Sequence, residues 1–424
     1  MMQILYLHQY FSTSGGAVGT RSYEFAKELV ASGHSVTMLC GSAQHSVTGL
    51  TQPFSAGKRR GFVEGIEVIE IDLVYSNYDG FLKRAIKFLK FVFKTVQIVV
   101  FTGKYDLLYA TSTPLTVIIP GVMAKIIRRK PFILEIRDLW PELPKAMGVV
   151  KNPLLLGMIG ILERMAYRFA DAGIGLSPGI CQGMCRFGTL PKERITLISN
   201  GCDIKFFQKG YQDNRSDISP ILINLLSTKF TGIFCGAHGA ANGLDAALDA
   251  AAVLQKKGVQ DIALIFIGDG KMKPFLIERA KKEQLRNCYF FDSIPKEVLI
   301  SVLHQAGVGM MLLRNVPAFY YGTSPNKFFD YIASGLPVLN NYPGWVAELI
   351  QEAQCGVVVQ PDCPESFASA LIEFSNLSKE QRKCFSQRAL KLAKEKFDRK
   401  ELAKKFVKVC EQVYKKSSLK VTLS

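Results

Sequence analysis

Short apolar runs alternate with amphipathic stretches along nearly the whole chain. Runs with strand character fall at 3–8, 35–40, 66–73, 106–111, 131–137, 172–177 and 195–199, and helical periodicity fills the intervals between them. A strand covered on both faces reads as a continuous apolar run, so this alternation predicts a mostly parallel, doubly wound sheet. A polar stretch over 205–219, containing Gly210, Asp213 and Asn214, breaks the rhythm ahead of Pro220. Alternation then resumes at 232–236, 262–267, 288–291, 308–313, 337–340 and 356–360, and basic amphipathic helices close the chain. The pattern predicts a first Rossmann-like domain over 1–204, a linker over 205–220, a second Rossmann-like domain over 221–395 and a terminal helix over 396–424.

In open α/β sheets ligands sit outside the C-terminal ends of the strands, so two such domains in tandem direct attention to the loops that face a shared cleft. The most informative stretch is GTSPNKFFDYIASGLPV, from Gly322 to Val338. Ser324 reads as an N-cap, Pro325 as the first helical residue, and Gly335 with Pro337 as the stop, giving a helix of about three turns. Lys327, Asp330 and Ser334 then share one face and Phe328 and Ile332 another. A capped N-terminus with free N–H groups at Ser324 to Asn326 favours an anion such as a diphosphate, with Asp330 one turn further in to accept from sugar or ribose hydroxyls.

Other loops add candidates. Gly15, Gly16 and Gly19 precede a helix, but GGAVG departs from GxGxxG, and Cys40 and Gly41 stand where an acidic residue would end the second strand, which argues against a dinucleotide. These glycines instead clear room for a substrate oxygen. EIRDLWPE places Arg137, Asp138 and Glu142 at a strand end, where buried charge must be paired or used. The turn from Gly236 to Gly243, carrying His238 and Asn242, leads into a helix and forms a second phosphate seat. Gly268 follows the next strand, and Ser293 with Ile294 offers backbone groups to a flat base.

Composition narrows the field. The 424 residues, 48% apolar, suffice for two cores. Ten cysteines without a CxxC pair give neither a zinc site nor a disulfide framework, and the start of the chain reads as a strand rather than a leader, so a reducing cytoplasm is expected. The net charge of +17 is uneven: residues 81–130 carry ten Lys/Arg against one Asp/Glu, and 379–424 carry fifteen against five. Within the first of these segments Lys83, Lys87, Lys90 and Lys94 recur as a cationic helical stripe among Phe81, Ile86, Phe88, Leu89, Phe91, Val92 and Phe93. At roughly 2.5 to 3.5 kcal/mol for each charge at mid-bilayer this helix cannot span a membrane, but it suits lying on an anionic one. The patterning of nucleic-acid modules is missing, so no nucleic-acid partner is expected.

Taken in order and spacing, LHQYF with the GG loop, GHSVTMLCG, RDLWPE, ISNGCDIKFF, GAHGAANGLD, IGDG and PNKFFDYIASGLPVL resemble the family 4 retaining glycosyltransferases of the GT-B fold. The likeness is greatest to the L-fucosamine transferase-like branch that builds bacterial O-antigen and capsule. It covers nearly the whole length. It implies two Rossmann-like domains facing a cleft with C-terminal helices crossing back to the first, a nucleotide-sugar donor in the second domain and an acceptor mainly in the first. Asp330 matches the second acidic residue of the EX7E signature, whereas Gly322 stands at the first. The diphosphate-binding Arg and Lys of GRxxxxKG appear as Ala237 and Asn242. Lys327, the helix start at Ser324 to Asn326, and His238 with the Gly236 to Gly243 turn, Asn242 and Gly243 included, are the substitutes the chain offers. The implied reaction is retaining transfer from a UDP-sugar to a lipid-linked oligosaccharide on the cytoplasmic leaflet, without cofactor or metal, by a peripheral membrane protein. Lys327, Arg137 and Asp138 are the residues expected nearest the chemistry, and Gly15, Gly16 and Glu142 the acceptor side. The alternatives are a nucleotide-sugar epimerase of the same architecture and a degenerate, non-catalytic scaffold.

Overall fold

The computed structural model describes residues 1–16, 19–43, 46–75, 79–209 and 218–422. Residues 210–217 of the expected linker lie outside them. The chain forms two compact units: residues 1–200 with 322–324 and 399–422, and residues 201–321 with 325–398. The first crossing therefore falls at Asn200, before the expected boundary, and helix Ile204–Lys209, mostly within the expected linker, belongs to the second unit, as does helix Pro220–Thr228.

The first unit is built on strands β1 (Gln3–Leu7), β2 (Ser35–Ala43), β3 (Lys58–Val63), β4 (Ile66–Tyr75), β5 (Leu107–Thr111), β6 (Phe132–Ile136), β7 (Ala172–Gly175) and β8 (Ile195–Leu197). Their order is β3-β4-β2-β1-β5-β6-β7-β8, and every pair is parallel except β3 with β4. β3 is the one strand the apolar pattern does not reveal, because KRRGFV is half basic and lies on an exposed edge. Its signal is the turn: Glu64 and Gly65 both have positive φ, 48° and 81°, as a two-residue type I′ hairpin requires. One face of this sheet is covered by helices Arg21–Ala31 and Arg399–Thr422, joined by Phe25 stacked on Phe406 at 4.8 Å. The other face packs on helices Phe81–Gln97, Ile118–Ile126 and Pro153–Phe169.

The lysines of helix Phe81–Gln97 are not one free stripe. Lys83 and Lys87 both pair with Asp79, and the line of residues turned outward is Leu82, Ile86, Leu89 and Phe93. Among the described residues no helix is long and apolar enough to cross a membrane.

The second unit contains β9 (Phe230–Cys235), β10 (Ile262–Ile267), β11 (Cys288–Phe291), β12 (Val308–Met311), β13 (Val338–Asn340) and β14 (Gly356–Val358), ordered β11-β10-β9-β12-β13-β14 and all parallel. β10 is buried at every residue, which is why IALIFI shows no alternation. In both sheets the order reverses beside the first strand, between β1 and β5 and between β9 and β12. In open sheets of this kind ligands bind at the strand ends beside such a reversal.

Candidate functional site

At the reversal point of the first unit Arg21 and Glu135 are spent on one another. Glu135, on β6, is fully buried and receives Arg21 through Nε at 3.0 Å and Nη2 at 2.8 Å, the Tyr109 hydroxyl at 2.7 Å and the Thr111 hydroxyl at 2.7 Å. The same guanidinium donates to the carbonyls of Ser199 and Ile198 at 2.6 and 2.7 Å. Burial alone would raise the carboxyl, but Arg21 and Arg137 overcome it and hold Glu135 down at about 2. Beside this pair His8 is buried at the end of β1. Burial, with the charge of Arg137, lowers its imidazole to about 3, so the ring is neutral, and Nε2 accepts from Arg137 Nη1 at 3.1 Å.

Arg137 therefore meets a neutral histidine. Asp138 accepts from the Thr113 hydroxyl at 3.3 Å, and burial pushes its carboxyl up. Arg186 pairs with Glu142 through Oε1 and with the buried Glu163, while Glu142 Oε2 is buried without a hydrogen-bond partner. Gly15 and Gly16 lie in a turn closed by the Gly16 N–H donating to the Thr13 carbonyl at 3.2 Å. Gly15 lacks the positive φ that demands glycine, and a Cβ there would make only ordinary contact with Val47, at 3.7 Å. Sequence reasoning overlooked His8 and Gln9, polar residues directly after a buried strand. The Gln9 side chain is buried with neither amide atom partnered.

The second unit gathers most of the predicted donor residues. The turn after β9 approaches the loop after β10 so closely that both need glycine. Gly268 has φ 144°, and a Cβ there would lie 2.0 Å from the Gly236 carbonyl oxygen. Gly243, at φ 56°, ends the turn with space for no Cβ, since Arg314 Cα would be 2.8 Å away. His238 is pinned by its own backbone, its N–H donating to Asp269 and its carbonyl accepting from Met272, at 2.8 and 2.9 Å. Its ring is fully buried, with neither nitrogen partnered, and burial with the charge of Lys273 lowers it to about 4. His238 can therefore offer a neutral N–H, not a cation.

Lys327 is the cation of this site. Its ammonium donates to Asn242 Oδ1 and lies 4.6 Å above the Phe234 ring, while Asn242 Nδ2 donates to the Ala237 carbonyl at 2.7 Å. Among the described residues it pairs with no carboxylate, and burial lowers it to about 7. Asn242, standing where the GRxxxxKG pattern has lysine, thus tethers a lysine supplied by another element. Asp330 is half-buried with Lys296 Nζ at 3.5 Å, so a ribose hydroxyl would share it with that ammonium.

The helix bearing Lys327 and Asp330 runs Asn326–Ala333, about two turns rather than three. Phe328 and Ile332 do share its buried side. Pro325 occupies the N-cap, and Ser324 does not cap: its hydroxyl and carbonyl accept from the backbone and side chain of Asn200 at 3.0 and 2.7 Å. A partner 124 residues away outcompetes the local cap. Asn326 is exposed in the first turn. Ser293 and Ile294 follow β11, beside Gly268, whose N–H donates to Phe291 at 3.2 Å.

Lys273 is the residue here that sequence reasoning missed. Nearly buried, it donates to the carbonyls of Gly268 and Phe291 at 2.9 Å each and to Asp292 at 2.6 Å, tying the ends of β10 and β11 together. Among the described residues no group of three or more His, Cys, Asp or Glu is arranged to hold a metal ion.

Residues 16–201 match the family model described as glycosyl transferase 4-like domain, and residues 223–392 that described as glycosyl transferases group 1. No curated protein matches the chain by sequence. Among solved structures, sucrose-phosphate synthase from Thermosynechococcus elongatus is 16% identical with a TM-score of 0.72, covering 98% of this chain and 99% of that one. HepE from Anabaena, solved with UDP and glucose, is 18% identical with a TM-score of 0.67, covering 97% and 100%. WaaG, described as a glycosyltransferase involved in lipopolysaccharide biosynthesis, is 15% identical with a TM-score of 0.64, covering 96% and 99%. At these identities the likeness establishes a shared fold.

Proposed function

The chain belongs to the glycosyltransferases by both of its domains, and on that premise we propose that it moves a sugar, with retention, from a UDP-sugar to a lipid-linked saccharide in surface-polysaccharide synthesis. The observation that carries the donor half is Lys327, a cation held at the reversal point of the second sheet by a neutral amide, with no carboxylate among the described residues to neutralise it. A diphosphate supplies the missing charge, and charge-assisted bonds to it are each worth about 1.5 to 3 kcal/mol. Lys327 stabilises the departing diphosphate, so transition-state charge falls where a donor already points. HepE, solved with UDP and with UDP-glucose, is a neighbour that favours a uridine nucleotide.

In this reading the Gly236 to Gly243 turn lets backbone approach the phosphates, His238 adds a neutral donor, and Ser293 with Ile294 receives the base on a loop steadied by Lys273. Asp330 takes the ribose and exchanges part of its contact with Lys296. Arg137 and Asp138 serve the acceptor in the first unit, and the basic helix Phe81–Gln97 brings the protein to the cytoplasmic face of an anionic membrane, where a lipid-linked acceptor resides.

The test is release of UDP from a panel of UDP-sugars, with products read by mass spectrometry, in the presence and absence of bacterial lipid extract. Release that depends on the extract supports the transferase. An isomerised sugar nucleotide without extract, or binding with no turnover for any donor, overturns it.

A further inference from the structure

Helix Pro153–Phe169 contradicts the usual polarity of a surface helix. Leu154, Met158, Ile161 and Met165, spaced i, i+4, i+7 and i+11, all face outward and are between 40% and 74% exposed. Gly157 and Gly160 lie beside this line with open space around them. The inward side of the same helix, with Ala166 and Tyr167, enters the core shared with Phe91 of helix Phe81–Gln97 and Ile118 and Ala124 of helix Ile118–Ile126. Helices that bury their inner sides in one core against one sheet turn their outer sides the same way. The outer line Leu82, Ile86, Leu89 and Phe93 therefore belongs to the same face, as do the exposed Ile126 and Ile127 between the two lines. Scattered apolar residues on a surface need no explanation, but two complete helical stripes on one face do.

Among the described residues the exposed charge along this face is cationic, and Asp171 and Asp106 nearby are paired with Lys125 and Lys130. Lys90, Arg129, Lys151, Arg164 and Arg168 are exposed along it, while Glu163 is buried and Asp79 is spent on Lys83 and Lys87. A second copy of the chain would set this cationic rim against itself, because a two-fold interface is self-complementary. An anionic leaflet neutralises it and takes the apolar side chains below the headgroups.

We propose that helix Pro153–Phe169 is a membrane-inserting element, embedding Leu154, Met158, Ile161 and Met165 among the acyl chains of an anionic bilayer beside the apolar line of helix Phe81–Gln97. This deepens, and rests on, the membrane reading of helix Phe81–Gln97. Two apolar lines on one rigid layer fix the tilt of the first unit on the leaflet, which a single basic helix cannot do.

The full chain is mixed with phosphatidylglycerol/phosphatidylcholine vesicles and floated at low and high salt. The wild type is expected to float, with a fraction that survives high salt. Leu154→Gln with Met158→Gln and Ile161→Gln, all at exposed positions, should lower partitioning about tenfold or more and abolish the salt-resistant fraction. Lys90→Glu with Lys94→Glu should remove mainly the salt-sensitive part. In Ile161→Trp, brominated lipid should quench the added emission. No quenching, or unchanged flotation of the glutamine variant while the lysine variant loses it, overturns insertion by this helix and leaves the basic helix standing. Failure of the wild type to float overturns the membrane reading itself, and a dimer in solution broken by the glutamine variant would make the face a self-interface instead.

Discussion

The two sheets share strand order at their reversal points, but the buried Arg21–Glu135 pair of the first and Lys327 of the second meet charge in opposite ways. In the first unit Arg21 and Glu135 neutralise each other in full burial, with every remaining bond taken by hydroxyls and carbonyls, and His8 is kept neutral alongside. In the second unit Lys327 meets, among the described residues, an amide and an aromatic face. A closed network holds strands together and asks nothing of a ligand. An open one tolerates an unneutralised cation until an anion arrives, and burial lowers the pKa of that cation in the meantime.

The largest break in this contrast is Arg21→Met. It strands a buried carboxylate and should cost about 3 to 5 kcal/mol, whereas Arg21→Met with Glu135→Gln should recover more than half, because matched neutral replacements avoid the unpaired charge. Denaturant melts of the three proteins check this, and equal losses in single and double variants would show the pair is not the strut. Because the Glu135 carboxyl is depressed to about 2, its contribution is present above the ordinary carboxylate range and is lost as pH falls toward 2.

Next in size, Lys327→Ala should lower kcat/KM by about a hundredfold or more, on the scale of removing one donor to transition-state charge, while the melting curve stays that of the wild type. Steady-state UDP release decides it, and wild-type kinetics would remove Lys327 from the diphosphate site.

How much of this was legible beforehand follows from where the information resides. The parallel strands were readable because IALIFI and its counterparts are buried on both faces, and Lys327 and Asn242 were readable as polar residues in glycine-rich and helix-start contexts. The hairpin strand β3 was hidden by its basic edge, and the Ser324 cap failed because Asn200 lies far away in sequence. Lys273 looked like one more lysine in a basic helix, since only tertiary structure reveals three acceptors waiting for it. The outward apolar line of helix Pro153–Phe169 was not legible at all, because periodicity locates a stripe but does not say which way it turns.

Asn242→Asp carries the logic of the first unit into the second. It should pair Lys327 internally, raise the lysine pKa and set a carboxylate against an incoming diphosphate, weakening UDP binding about tenfold with little change in stability. Calorimetric titration with UDP measures it, and unchanged affinity would mean that Asn242 and the diphosphate do not compete for the same ammonium.

The smallest effect is the most specific. In the free protein the Lys327 ammonium titrates at about 7, against an ordinary lysine value of 10.5, and a bound diphosphate should return it toward that value. Between those two values the free site is mostly neutral and the occupied one charged, so UDP binding near pH 8.5 should take up close to one proton. The dissociation constant should rise as pH increases through that window, by at most about tenfold per unit. The sign for folding follows from the same shift: the unfolded chain holds this proton where the folded one does not, so this lysine's effect on stability becomes more favourable as pH rises from about 7 toward 10.5. Titrations in two buffers of different ionisation enthalpy count the proton, and Lys327→Gln should abolish the uptake. Uptake that persists in that variant would assign the proton to another group and close the second site as tightly as the first.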